Sequence, residues 1–243
     1  MVRIFTQKEN IKAQEIIIDD KEDIHHIGRV LRLKEGAVIT VSTLDGWEYE
    51  AGILSMSQNE VRAEILDKSR NSREPELKIT LFQSIPKQGK IDVIIQKSVE
   101  LGVGAIVPVI TARTIGKPGG KTERWQKISE EAAKQCRRGA IPLVSKEVSF
   151  SEMTSMLGTD DFGAVIFAYE NEENNSIKDV LLGFKKKPQT LAIIIGPEGG
   201  FSEDEARALE LAGALPASLG KTVLRTETAG PAAIAMIMYE LEL

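Results

Sequence analysis

The sequence predicts an α/β fold, a mostly parallel sheet with helices on both faces, preceded by a small β-rich domain. The main observation is that strand-like and helical patterns alternate from Leu77 onward, which is typical of a parallel sheet. The first part of the chain instead contains short β-branched runs and a single helical pattern. A polar, charged segment that includes Pro75 separates the two parts at 68–76. We therefore expect domains at 1–72 and 73–243.

The N-terminal domain is predicted to hold short strands around one helix. Apolar residues at helical spacing cover Glu22–Leu33, and Gly36 ends this segment. Asp45-Gly46 has the composition of a hairpin turn. Strand-like runs lie at 3–5, 16–18, 37–41, 49–56 and 61–66. These elements are compatible with a small barrel.

The C-terminal domain is predicted to alternate strands with helices. Strands are expected at 78–83, 105–110, 143–148, 163–168 and 191–195, and helices at 90–101, 122–138, 149–157 and 176–182. A further helix begins at the capping box Ser202-Glu203-Asp204-Glu205. The last helix, 228–243, is opened by Thr226 or Thr228 and is apolar nearly all round, so it must be buried on most sides. Core packing and a subunit interface both satisfy that requirement.

The composition excludes several classes of protein. No apolar run approaches the ~20 residues that span a bilayer, and the N-terminus lacks a signal-peptide core, so a cytoplasmic protein is expected. Cys136 is the only cysteine, which leaves no intrachain disulfide and no cysteine metal cluster. His25 and His26 are adjacent, and neighbouring helix positions point about 100° apart, so no metal site is expected there. The net charge of −5 argues against uniform coating of nucleic acid but permits a local basic face.

Two glycine-rich segments mark the candidate ligand site. The first, Gly196-Pro197-Glu198-Gly199-Gly200, follows a buried apolar run that ends at Ile195. The second contains Gly220 and also follows an apolar patch. Glycine lets a backbone approach a ligand closely, and open α/β sheets bind ligands where strands end in such loops.

These two segments together resemble the signature of the RsmE family. The matching motifs are Gly-Pro-Glu-Gly-Gly-Phe-Ser at 196–202 and Leu-Gly-Lys-Thr-Val-Leu-Arg-Thr-Glu-Thr-Ala at 219–229. Members of that family are SPOUT-class methyltransferases that modify a uridine of small-subunit ribosomal RNA at ring nitrogen 3. Segments 26–36, 83–87, 95–103 and 124–128 resemble the family as well, so the likeness covers nearly the full chain.

The resemblance implies a fold and partners that the pattern alone does not give. It implies a trefoil-knotted parallel sheet behind a PUA-like RNA-binding barrel, and a homodimer with the active site beside its interface. The methyl donor is then S-adenosylmethionine, no metal is required, and the substrate is ribosomal RNA in an assembled small subunit.

Candidate residues for the donor lie on the loops that follow strands. Main-chain groups can hydrogen-bond the adenine edge while glycine leaves room for its rings. A third loop, after Ala168 and Tyr169, should complete the pocket. The expected contacts are Ala168, Ile195, Gly196, Pro197, Gly199, Gly200, Leu219, Gly220 and Leu224.

Methylation of uridine N3 requires removal of its proton or stabilisation of the resulting anion. Arg225 is the candidate cation, since its guanidinium can hold a uracil carbonyl or a phosphate. Glu198 and Glu227 are candidates for the base or for groups that orient Arg225, and a purely structural Arg–Glu pair is the alternative.

Basic residues at two places are candidate RNA contacts. Arg29, Arg32 and Lys34 lie in the segment that resembles the RNA-binding domain, where a solvated helix face is the alternative. Arg137 and Arg138 lie at a helix end, where favourable interaction with the helix dipole is the alternative.

Other functions fit the sequence less well. Residues 215–222 end like a Walker A loop, but Leu215 replaces the first glycine and a strand-like segment follows. No Gly-x-Gly-x-x-Gly follows an early strand, which argues against a Rossmann-type site. A non-enzymatic RNA-binding protein would have no reason to bind S-adenosylmethionine tightly. A ribose 2′-O-methyltransferase of the SPOUT class would tend to carry Asn-Glu after the glycine-rich turn.

Overall fold

A computed structural model describes residues 3–242 except 44–45, 71–73, 88, 116–118, 120 and 160. The chain divides into two compact units. The first is Met1–Glu74 with Ala133–Ile141, and the second is Pro75–Ala132 with Pro142–Leu243. The boundary expected between residues 72 and 73 lies outside the described residues, as does Asp45 of the expected turn.

The first unit is built on a five-stranded sheet. Its strands are β1 (Arg3–Thr6), β2 (Glu15–Ile18), β3 (Val38–Thr43), β4 (Trp47–Met56) and β5 (Val61–Arg70). They lie in the order β1-β3-β4-β5-β2, in which β1 and β3 are parallel and the other pairs antiparallel. Alternate apolar residues of these strands, among them Ile16, Ile39 and Ile53, form a core that also contains Ile27.

The helix of the first unit is shorter than its apolar pattern predicts. Helix α1 (Lys21–His25) begins at Asp20, whose side chain accepts from the backbone N–H groups of Glu22 and Asp23. It continues as a π-helical turn, His26–Val30, and does not reach Leu33. Arg32 has φ +51°, and this left-handed residue turns the chain toward β3.

The second unit is built on a seven-stranded parallel sheet. Its strands are β6 (Lys78–Ser84), β7 (Ala105–Ile110), β8 (Leu143–Val144), β9 (Val148–Ser149), β10 (Ala164–Ala168), β11 (Thr190–Ile195) and β12 (Leu215–Ala217). They lie in the order β12-β10-β11-β6-β7-β8, and β9 also pairs with β7. The single strand expected at 143–148 is therefore two short strands, and β12 was not expected.

Helices cover both faces of this sheet, as the alternating pattern predicts. They are α2 (Ile91–Glu100), α3 (Thr122–Gln135), α4 (Phe150–Leu157), α5 (Ile177–Leu182), α6 (Glu203–Leu211) and α7 (Thr226–Leu241). One face packs Phe82 and Ile194 against Met153 of α4 and Leu209 of α6. On the other face α7 packs against α2, α5, β6 and β11.

Candidate active site

The carboxyl ends of β12, β10 and β11 lie side by side, because these strands are parallel neighbours. The loops that follow them enclose a cavity of about 390 Å³, a volume within the range of small-molecule sites. Residues from the start of α7 and Lys90 complete its wall. The predicted residues in the lining are Ala168, Ile195, Gly196, Pro197, Glu198, Gly200, Leu219, Gly220, Leu224, Arg225 and Glu227.

A buried hydrogen-bond chain fixes the glycine-rich loop after β11. The Thr226 hydroxyl donates to the carbonyl of Gly196 at 2.7 Å, and the Gln83 amide donates to the same hydroxyl at 3.0 Å. Gln83 and Thr226 are both buried. A side chain at Gly230 would place a Cβ 2.9 Å from Gln83 Oε1, so the buried Gln83 amide would have to shift and its bond to Thr226 would be disturbed. The cavity loop and the first turn of α7 are therefore held as one structure.

A second set of contacts fixes the outer side of the same loop. Arg113 Nη1 donates to the carbonyl of Gly199 at 2.7 Å. Glu205, in the capping box of α6, accepts from the backbone N–H of Ala112 at 2.7 Å. Gly199 thus contacts Arg113 and is not in the cavity lining, unlike the other glycines predicted to bind the donor.

The loop after β12 forms the opposite wall largely from main chain. Ser218 is held by its carbonyl, which accepts from Ile177 N–H at 2.9 Å, and its hydroxyl donates to the carbonyl of Gly220 at 3.1 Å. Gly220 has φ +143°, a conformation that is essentially restricted to glycine. Leu219 and Leu224 supply apolar surface beside it.

The charged groups of the cavity are arranged differently from the predicted Arg–Glu pairing. Lys90 Nζ donates to Glu227 Oε1 at 2.8 Å. The hydrogen bond from Lys90, followed by one from backbone N–H of Glu227, holds the pKa of the Glu227 carboxyl below its usual value, and the charge of Arg225 acts in the same direction. Glu198 accepts from the backbone N–H of Lys87 at 2.8 Å. Arg225 is exposed.

Sequence reasoning missed Lys90. Lys90 directly precedes α2 and lies just beyond the end of β6, the strand next to β11. The available signal was this position, because residues that follow neighbouring parallel strands gather at one edge of a sheet.

The candidate RNA contacts in the first unit divide into two kinds. Arg29, Arg32 and Lys34 are all exposed, as the prediction requires. Arg137 is exposed too, with φ +61°, and lines a cavity of about 230 Å³ together with the acidic residues Glu48, Glu50 and Asp67.

Arg138 is buried, and its guanidinium is bound to a carboxylate. Its Nη2 donates to Glu74 Oε2 at 2.8 Å, and Glu74 Oε1 also accepts from the backbone N–H groups of Gly139 and Ala140. Burial would raise the pKa of the Glu74 carboxyl, but these hydrogen bonds outweigh it and lower the pKa. This arrangement speaks against the phosphate contact predicted for Arg138.

The described residues hold no candidate metal site and no membrane-spanning helix. Groups of three or more His, Cys, Asp and Glu side chains that could hold a metal ion do not occur among them. None of the described helices is long and apolar enough to cross a membrane.

Comparison with known proteins identifies the family. A model described as an RNA methyltransferase domain matches residues 73–238, and one described as an RNA methyltransferase PUA domain matches residues 18–66. The chain is 34% identical over 230 residues to the ribosomal RNA small subunit methyltransferase E of Bacillus subtilis (strain 168), which covers 91% of this chain and 89% of that protein. The chain belongs to the ribosomal RNA small subunit methyltransferase E family.

Other members of this family are similar to this chain over nearly its whole length. The methyltransferase E of Mesomycoplasma hyopneumoniae (strain 232) is 30% identical over 94% of this chain and 95% of its own. A crystal structure of the methyltransferase E of Neisseria gonorrhoeae, bound to S-adenosyl methionine, has a TM-score of 0.85 and 31% identity, and covers 98% of this chain and 97% of that one. The family resemblance stated from the sequence is confirmed, and so are the PUA and methyltransferase domains.

Proposed function

We propose that this chain transfers a methyl group from S-adenosylmethionine to ring nitrogen 3 of a uridine in small-subunit ribosomal RNA. The observation that carries the proposal is the cavity at the carboxyl ends of β10, β11 and β12. Both glycine-rich segments contribute its walls, and the pair Lys90–Glu227 lies at one side. Family membership supports the reaction class and the RNA substrate.

The residues of the cavity fit the donor. Main-chain groups of Gly196, Gly200 and Gly220 can hydrogen-bond the adenine edge, and Ile195, Leu219 and Leu224 can cover its apolar faces. Gly220 has no side chain and adopts a φ that residues with a Cβ avoid, so its main chain can lie directly at the cavity wall. S-adenosylmethionine, when bound, supplies a methyl group attached to a positively charged sulfur.

The residues of this chain act on the uridine by helping to remove its N3 proton and by stabilising the resulting charge. The N3–H bond breaks, its proton leaves to solvent or to a carboxylate, and negative charge spreads onto the neighbouring carbonyl oxygens. Arg225, which is exposed at the cavity and held as the N-cap residue of α7, can donate to one of those oxygens. Glu227 has a lowered pKa, so it suits accepting a hydrogen bond from N3–H better than retaining the proton.

The test uses labelled S-adenosylmethionine, unmodified small ribosomal subunits and nucleoside analysis of the extracted RNA. Label in 3-methyluridine is the expected result. Label in ribose-methylated nucleosides would favour a 2′-O-methyltransferase, and binding of S-adenosylmethionine without transfer to any RNA would favour a binding module. Free ribosomal RNA as a parallel substrate distinguishes naked RNA from the assembled subunit, which the proposal favours.

The enzyme is proposed to act as a homodimer in the cytoplasm, where its ribosomal substrate is found. The support is α7, one side of which packs on the sheet through Ala233, Ile234 and Ile237. The opposite side leaves Met236 and Tyr239 exposed, at 37% and 73%. An apolar strip of this kind on a helix beside the cavity suits a subunit interface.

The parallel sheet is proposed to carry a trefoil knot. The support is the path of the chain from the edge strand β12, through 218–225, to α7, which packs on the interior strands β6 and β11. Stretching single molecules from both termini tests it. A tightened knot would leave the extended chain shorter than its residue count requires, and full extension would exclude one.

A further inference from the structure

Lys90 and Glu227 form a partly buried ion pair at the wall of the cavity. The two atoms Nζ and Oε1 are 2.8 Å apart, and the side chains are 34% and 21% exposed. A charge-assisted hydrogen bond of this length restrains a carboxylate more than an exposed ion pair does.

The second oxygen of that carboxylate is unsatisfied. Glu227 Oε2 is buried and has no hydrogen-bond partner within the described part of the chain. An ionised carboxylate accepts hydrogen bonds and donates none, and leaving one buried oxygen unpaired costs about 1–3 kcal/mol. Oε2 itself has almost no exposed surface, so a molecule bound in the cavity meets the carboxylate on its partly exposed side, next to the bond from Lys90.

The backbone that carries Glu227 is fixed independently of its side chain. Thr226, the preceding residue, is bonded to Gly196 and Gln83. The loop after β11 therefore sets the main-chain position of Glu227, and Lys90 supplies the side-chain contact that holds its carboxylate.

The position of Lys90 is unfavourable for the helix it precedes. Lys90 is the N-cap residue of α2 and makes no side-chain capping hydrogen bond. Ser, Thr, Asp or Asn would stabilise that position by about 1 kcal/mol, and a cation there opposes the helix dipole. The contribution of Lys90 is thus to the cavity rather than to α2.

We propose that Lys90 is a positioning residue, which orients the Glu227 carboxylate so that this group accepts a hydrogen bond from an imide N–H of a bound pyrimidine. This inference rests on the proposed function, and it adds a residue that acts through Glu227. An imide N–H next to two carbonyls is the donor that uracil offers, and cytosine has no proton at that ring nitrogen.

Lys90→Met and Lys90→Arg test the proposal, with Lys97→Met as the matched control. Lys97 lies on the same helix and pairs with Glu100 at 2.9 Å, outside the cavity lining. We expect Lys90→Met to lower kcat for methyl transfer by about tenfold or more, because methyl transfer slows when the Glu227 carboxylate is no longer held in the correct orientation. The Kd for S-adenosylmethionine should change less than about twofold. Lys90→Arg should recover most of the rate, and Lys97→Met should behave like the unmodified chain.

A second variant separates positioning from a general loss of structure. In a Glu227→Gln background, adding Lys90→Met should reduce kcat no further, since the lysine acts through that carboxylate. Additive losses of kcat in the double variant would overturn this inference but not the proposed function. A Lys90→Met enzyme with unchanged kcat would do the same. Absence of transfer by the unmodified chain to any ribosomal RNA would overturn the proposed function and the inference with it.

Discussion

At the scale of the residue, Gly220 decides the shape of the cavity wall. Its φ of +143° is strained for any residue with a side chain by about 1–3 kcal/mol. We expect Gly220→Ala to raise the Kd for S-adenosylmethionine by about tenfold, as strain shifts the loop and the Ser218 hydrogen bond is lost. Isothermal titration calorimetry measures this change.

Gly213→Ala is the matched control for that substitution. Gly213 also has positive φ, at +84°, but lies in the turn between α6 and β12, outside the cavity lining. Both variants should lose unfolding free energy, and only Gly220→Ala should lose donor affinity. Equal donor affinities in the two variants would contradict the assignment of this loop.

Glu74 links the stability of the first unit to pH. Its folded pKa lies below the ordinary value of 4.5, so its contribution to stability is complete above about pH 4.5 and is lost as pH falls through the folded pKa. Glu74→Gln should lower the unfolding free energy by about 2–3 kcal/mol at neutral pH, because Arg138 remains buried without its ionised partner.

Urea unfolding at several pH values checks this second prediction. The difference between Glu74→Gln and the unmodified chain should shrink in acid, where both carry a neutral side chain. Glu60→Gln serves as the control, because Glu60 and Arg62 form an exposed pair whose loss should change the unfolding free energy much less than the loss of Glu74 does. A difference for Glu74→Gln that is independent of pH would contradict the role of its charge.

At the scale of the element, the sequence predicted long and strongly periodic segments better than short ones. The strands β6, β7, β10 and β11 were expected close to their observed positions, since each is a buried apolar run between helical patterns. The strand β12 was missed because three residues that include Pro216 carry no periodic pattern, and it is defined only by pairing with β10. The cavity nevertheless depends on it, because the loop that it begins forms one wall.

In the candidate site, too, local features were predicted and contacts between distant segments were not. Glycine-rich loops were found because their composition is unusual along the chain. Contacts between distant segments, such as Lys90 with Glu227 or Arg138 with Glu74, were missed, since they join residues separated by 137 and 64 positions. No local pattern encodes such pairs.

The turn after α1 is the element that we expect to contact RNA in the first unit. Replacing Arg29, Arg32 and Lys34 together by Gln should weaken binding to ribosomal RNA and reduce the slope of log K against log salt by about 2. Donor affinity should not change. Filter binding at several salt concentrations measures the slope.

The double variant Lys185→Gln/Lys186→Gln controls for a general loss of positive charge. Both lysines are exposed in the second unit, outside the cavity lining. If the slope of log K against log salt falls by the same amount per charge removed in both variants, the attraction is non-specific. That result would contradict a binding role for the turn.

At the scale of the whole molecule, the proposed homodimer depends on the outer side of α7. Exposed Met236 and Tyr239 continue the half-buried Ala232 and Ala235 at helical spacing. A stable interface needs about 800 Å² from each partner, so this strip would form its centre rather than its whole area. Burying a carboxylate at such a centre costs several kcal/mol.

Met236→Glu and Tyr239→Glu should therefore convert a dimer into a monomer, as measured by sedimentation equilibrium. Leu211→Glu is the control, because Leu211 is 83% exposed on α6 and its replacement should leave the dimer intact. Methyl transfer should fall with the dimer, since Arg225 and Glu227 lie at the start of α7 and any shift of this helix displaces both. The contrary outcome is that the unmodified chain sediments as a monomer while it transfers methyl groups at full rate. That result would contradict the proposal that the outer side of α7 is a subunit interface.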